Sequence, residues 1–95
     1  MLRTPGGERR LAILEWLKDP ARHFPPQRHG DLVRDGVTAD AIAAKLGVRR
    51  QVADTHLTLL TDLGLLRATR IKRRVHYRRD EIRIAEVARM FEKGW

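Results

Sequence analysis

The chain has 95 residues, 42% of them hydrophobic, and 20 Lys and Arg against 12 Asp and Glu give a formal charge of +8. That is room for one small domain, residues 1–95, with a modest core and a large solvated surface. The absence of cysteine and serine excludes disulfides, thiolate metal sites and nucleophilic catalysis by either residue. No apolar run approaches the ~20 residues of a membrane span. The first residues also lack the apolar segment of a secretion signal, so a cytoplasmic protein with no membrane partner is expected.

Residues 1–7 are expected to form a frayed tail, because Pro5-Gly6-Gly7 starts a helix poorly. From Glu8 to Lys18 the pattern is helical. Leu11, Leu14 and Leu17 make a stripe that Ala12, Ile13 and Trp16 widen, more apolar surface than one side of a small domain requires. Asp19-Pro20 ends this helix. Between Asp19 and Val37, Pro20, Pro25, Pro26, Gly30 and Gly36 cut the chain into turns, with Phe24 as a buried anchor and Leu32-Val33 reading as a short edge strand. So long a connector in so small a domain invites a functional reading.

Thr38 has the chemistry of an N-cap, with Asp40 in the first turn to suit the helix dipole. Ala39, Ile42, Ala43 and Leu46 make the buried side, and Gly47 ends the helix in a left-handed conformation. A short turn leads to a second helix, Arg50 to Leu63, whose inward residues are Val52 or Ala53, Leu57, Leu60 and Leu63, with Gly64 as its stop. Two short helices around a Gly-containing turn are the helix-turn-helix pattern. The period then changes to two: Leu66 to Ile71 and Val75 to Arg78 read as a β-hairpin with a tight basic turn at Ile71-Lys72-Arg73. Asp80 caps a last helix, Glu81 to about Lys93, with Ile84, Val87, Ala88 and Phe91 at helical spacing and Ile82, Ala85 and Met90 widening that face.

Charge is distributed unevenly. From Glu8 to Asp40 the signs nearly cancel, whereas Arg67, Arg70, Lys72, Arg73, Arg74, Arg78 and Arg79 sit together without an acid. A solvated face normally mixes signs, so this patch reads as a phosphate-contacting surface. Tyr77 is its one aromatic and it lacks an apolar face for lipid.

The order helix, loop, helix-turn-helix, basic hairpin, helix is that of a winged-helix domain, mainly α with a small β-hairpin. Ala43, Leu46-Gly47-Val48, His56-Leu57, Leu60, Gly64-Leu65-Leu66, Arg67, Val75 and Tyr77 resemble the ArsR-type family of bacterial repressors over about Arg10 to Phe91. The segments Trp16-Leu17-Lys18-Asp19-Pro20, His23-Phe24-Pro25-Pro26-Gln27, Gly30-Asp31 and Asp35-Gly36-Val37 look like a subset with an elaborated loop. The resemblance implies a homodimer that binds double-stranded DNA, usually as a repressor. Its terminal helices would form the dimer interface, here through Leu11, Leu14, Trp16, Ile84, Val87 and Phe91. The second helix of the motif would enter the major groove, and the wing would follow the phosphates.

On that pattern the DNA-contacting candidates are Arg49, Arg50, Gln51, Asp54, Thr55, His56 and Thr58, with Arg70, Lys72, Arg73 and Arg74 on the wing. Arg50 has the chemistry to read guanine and Gln51 adenine. Arg49 suits either a base or a phosphate. Asp54 either accepts from cytosine or orients Arg50 one helical turn away, and His56 either touches a phosphate or packs against the wing. Where relatives commonly carry Ser, Gln, Pro and Thr, this chain has Arg49, Arg50, Gln51 and Val52, and it has Asp54 and Thr55 in place of Ser and Arg. The cysteine pair of metal-sensing members would fall at Thr38 and Asp40, and the last helix has no His, so neither metal nor cofactor is expected. His23, His29 and Asp31 lie near one another but match no metal motif. With no HExxH motif, and with Gly6-Gly7 making no phosphate loop, no enzyme is expected. A winged-helix interaction module with a degenerate DNA face is the rival reading, weakened by the retained arginines. RNA binding is disfavoured by the few aromatics, of which Trp16 and Phe91 read as buried.

Overall fold

Proline lacks the N–H that the first turn of a helix leaves unpaired in any case, and the chain uses this twice. The computed structural model describes residues 5–92. Its first helix, α1, runs Pro5–Lys18, so Pro5-Gly6-Gly7 belongs to a helix and not to a tail. Met1 to Thr4 and Lys93, at the two ends of the expected elements, lie outside the described residues. Pro20 stops α1 as expected, then opens a single-turn helix, α2, Pro20–His23.

Phe24 is buried and meets Trp16 edge to face, ring centroids 6.3 Å apart. Lys45 lies 5.2 Å from the Trp16 ring. Trp16 therefore packs within its own chain. The expected strand at Leu32-Val33 does not form. The Asp31 carboxylate accepts from the amides of Val33 and Arg34 at 2.9 and 2.8 Å, and its carbonyl accepts from Asp35 and Gly36. Side chains that offer the backbone such local partners favour turns over ladders. The strand forms later, as β1, Val37–Thr38. It is reached through Gly36, where a Cβ would collide with the Tyr77 carbonyl.

Thr38 caps α3, Ala39–Leu46, accepting from the Ala41 amide at 3.2 Å, and Gly47 ends it at φ 72°. After the turn comes α4, Arg50–Asp62. Ala53, Leu57 and Leu60 face inward as expected, but Leu63 follows the helix and is 52% exposed. A hairpin, β2 Leu66–Ile71 and β3 Arg74–Arg79, is closed by Lys72-Arg73, and α5, Glu81–Glu92, ends the described chain. Asp80 caps α5 by accepting from the Arg83 amide at 3.0 Å. The sheet is antiparallel throughout in the order β1-β3-β2, with Thr38 and Thr69 flanking His76.

The core lies between α1, α3, α4 and the sheet. Ile13, Ile42, Leu57 and Val37 are fully buried there, each contributing ~1.5–3 kcal/mol by burial. This mostly helical chain with a helix-turn-helix and a basic hairpin has the architecture of a winged helix-turn-helix. The last helix stands apart: α5 buries none of its residues, and Phe91, expected to be buried, is 73% exposed.

Candidate nucleic-acid interface

A two-residue hairpin turn with left-handed backbone is formed most easily by Asn-Gly. Here Lys72 and Arg73 occupy it at φ 49° and 67°, a conformation that costs L-residues roughly 1–2 kcal/mol each. The wing tip thus carries two cations where Gly would relieve strain. Both are exposed.

The seven cations of the hairpin do not all remain free. Arg67 pairs with Asp80 at 2.9 Å. Arg79 donates to the Leu14 carbonyl at 3.0 Å and to Glu81 at 2.9 Å. These two arginines tie the base of the hairpin to α5 and α1 and are structural. Arg74 pairs with Asp40 at 3.0 Å. Among the described residues Arg70, Lys72, Arg73 and Arg78 make no ion pair; the first three lie at or beside the turn, and the exposed Arg78 lies opposite Arg67 near the base. Hydrogen bonds from the Arg83 amide and then from Arg67 hold the Asp80 carboxyl below the usual carboxylate range.

On the helix-turn-helix, Arg50 donates through Nε to Asp54 at 2.9 Å and through Nη1 to Asp40 at 2.8 Å. These bonds, Asp54 first, push its guanidinium above its ordinary value. The contact that the orienting role of Asp54 requires is present. Asp40, expected only to suit the α3 dipole, accepts from Arg50 of α4 and Arg74 of β3 at once. It is the residue that sequence reasoning missed. It stands 34 positions from Arg74 in no periodic relation, so only the tertiary fold brings the two together. Arg49, Gln51, Thr55 and Thr58 are exposed. Arg49 precedes α4 without a side-chain cap to its first turn, which leaves helix-terminal N–H groups suited to a phosphate oxygen.

His56 does not join this surface. It is 7% exposed and takes the Arg10 guanidinium of α1 at 3.4 Å through Nδ1, so it packs against α1 and presents little surface to a phosphate. Burial, followed by the charges of Arg10 and Arg9, lowers its pKa. His23, His29 and Asp31 are not brought into a cluster. Among the described residues no group of three or more His, Cys, Asp or Glu is placed to hold a metal ion. No described helix is long and apolar enough to cross a membrane.

No family model matches the chain. Over 81 residues, 85% of this chain and 81% of the relative, it is 42% identical to a protein of Bacillus subtilis (strain 168) described as the uncharacterized HTH-type transcriptional regulator YbzH. Identity at that level across nearly the whole domain, together with α3, the Gly47 turn and α4, makes the chain a member of the HTH-type transcriptional regulators.

Proposed function

We propose that the protein is a sequence-specific repressor of the ArsR type that binds double-stranded DNA as a homodimer, with α4 in the major groove and the β2–β3 wing on the phosphates. The observation that carries this reading is the bridge at Asp40, which holds Arg50 of α4 and Arg74 of the wing in one framework. A reading helix and a phosphate-contacting wing work together only when their spacing is set, and this network sets it. Within it Arg50 keeps its Nη2 group unpaired among the described residues, an oriented donor suited to a guanine edge. The second copy is supported by α5, which buries nothing, and by the exposure of Leu11, Ile82 and Phe91 on the terminal helices. Leu14, Ile84 and Val87 are half-buried and complete the proposed dimer face, while Trp16 is already packed against Phe24.

Selection of bound duplexes from a random pool tests the reading, followed by affinity across a salt series. Arg50→Ala is expected to weaken binding to the selected site far more than to random duplex, by about 1–3 kcal/mol of discrimination. Arg73→Ala is expected to weaken both equally and to lower the salt slope by roughly one unit. Equal losses from Arg50→Ala and altered base preference from Arg73→Ala would reverse the two assignments. No effect from either leaves the interaction-module reading in its place.

A further inference from the structure

We infer that the long connector between α2 and β1 is a second phosphate-contacting element, in which Arg28 grips the DNA backbone beside the wing. Gln27, Arg28 and His29 face Thr38, Lys72 and Arg74 across a groove of about 470 Å³ that no acidic residue lines. The connector is fixed on both sides of Arg28. The Gln27 side chain accepts from the Thr38 amide and donates to the Gly36 carbonyl, each at 3.0 Å, so it completes the edge of β1 as a backbone would. On the other side, the buried His76 ring lies between two groove residues, 3.2 Å from the His29 carbonyl through Nε2 and 3.1 Å from the Arg74 carbonyl through Nδ1. Both anchors belong to the sheet that carries the wing, so the backbone of Arg28 is held in register with Lys72.

The charges support a polyanion as occupant. Arg28 is exposed and, like Lys72, makes no ion pair among the described residues. The groove shares Thr38 and Arg74 with a smaller one, about 190 Å³, lined by Asp40, Arg50, Arg70 and Arg73. It is therefore continuous with the surface proposed for α4 and the wing, and a duplex lying on that surface brings a run of phosphates along both grooves. This inference rests on the DNA-binding reading.

The experiment uses the full chain and compares Arg28→Ala, Arg28→Lys and Arg73→Ala with the wild type on selected and random duplexes across a salt series. Arg28→Ala is expected to weaken both duplexes several-fold and equally and to lower the salt slope by roughly one unit, while Arg28→Lys retains the wild-type slope. A change in base preference overturns the phosphate assignment, and failure of Arg28→Lys to retain the slope overturns the role of charge. Wild-type behaviour of Arg28→Ala beside a loss in Arg73→Ala removes the connector from the interface and leaves the DNA-binding reading intact. If the wild type binds no duplex, both readings fall.

Discussion

Helices α4 and α5 have similar lengths and both separate apolar from charged residues, yet α4 buries Ala53, His56, Leu57 and Leu60 while α5 buries nothing. One amphipathic face has found its core inside the chain, and the other has not. What holds α5 in place is polar and lies near its start: the Asp80 cap, the Arg67–Asp80 pair, and the Arg83 guanidinium donating to the Leu63 carbonyl at 3.4 Å. An apolar face anchored at one end and open along its length suits a second copy, since burying a residue such as Phe91 contributes ~1.5–3 kcal/mol. The same pattern thus serves the chain's own core in α4 and, in the proposed homodimer, assembly in α5.

The largest expected effect tests that division. Leu57→Ala is expected to destabilise the chain by about 2–5 kcal/mol in urea unfolding, as loss of a fully buried side chain leaves a cavity. Phe91→Glu is expected to leave the far-ultraviolet spectrum intact but to halve the mass seen by light scattering. An unfolding midpoint unchanged by Leu57→Ala would remove α4 from the core. A Phe91→Glu protein that keeps twice the chain mass would remove α5 from the interface.

Legibility in the sequence follows the same line between local and distant contacts. The Thr38 cap, the Gly47 stop, the Asp80 cap and the basic hairpin turn are each decided within a few residues. The caps and the stop are found where the pattern predicts them. The turn, expected at Ile71-Lys72-Arg73, is Lys72-Arg73 alone because Ile71 still pairs with Arg74 in the ladder. The free cations of the wing were less legible, because Arg67 and Arg79 look the same in sequence as Lys72 and Arg73. What separates them is a partner: Asp80 and Glu81 sit just beyond the hairpin and return beside its base once β2 and β3 pair. Leu63 misled by continuing the α4 stripe one step past the end of the helix. The connector was illegible because its order depends on Gln27 and His29 meeting β1 and His76, contacts that no periodicity announces.

A smaller effect sharpens the comparison on the outer side of α4. Asp40→Ala removes the acceptor shared by Arg50 and Arg74, both on the surface. Exposed pairs of this kind contribute only ~0–1 kcal/mol, so the melting temperature is expected to change little. Discrimination between selected and random duplex is expected to fall, because Arg50 and the wing lose their common support. A large loss of stability with discrimination retained would make Asp40 a structural residue and dissolve the framework that the proposed function rests on.

The smallest expected effect concerns the one ionisable side chain that α4 buries. Burial first, then the charges of Arg10 and Arg9, places the His56 pKa in the folded chain below its ordinary 6.5. As pH falls, the unfolded chain therefore takes up this proton before the folded one. The contribution to stability is complete above the unfolded pKa and is lost as pH drops through the window beneath it. In that window the imidazole must either stay neutral against a rising proton concentration or charge beside Arg10, whose Nη1 stands 3.4 Å from Nδ1. Helix α5 has no histidine. Urea midpoints measured from about pH 7.5 to about pH 5.5 are expected to fall further for the wild type than for His56→Gln, which keeps a polar side chain against α1 but takes up no proton. His23, His29 and His76 remain in both proteins, so the difference between the two curves belongs to His56. Parallel curves would mean that His56 charges in place, and that its burial against α1 is looser than the contact with Arg10 indicates.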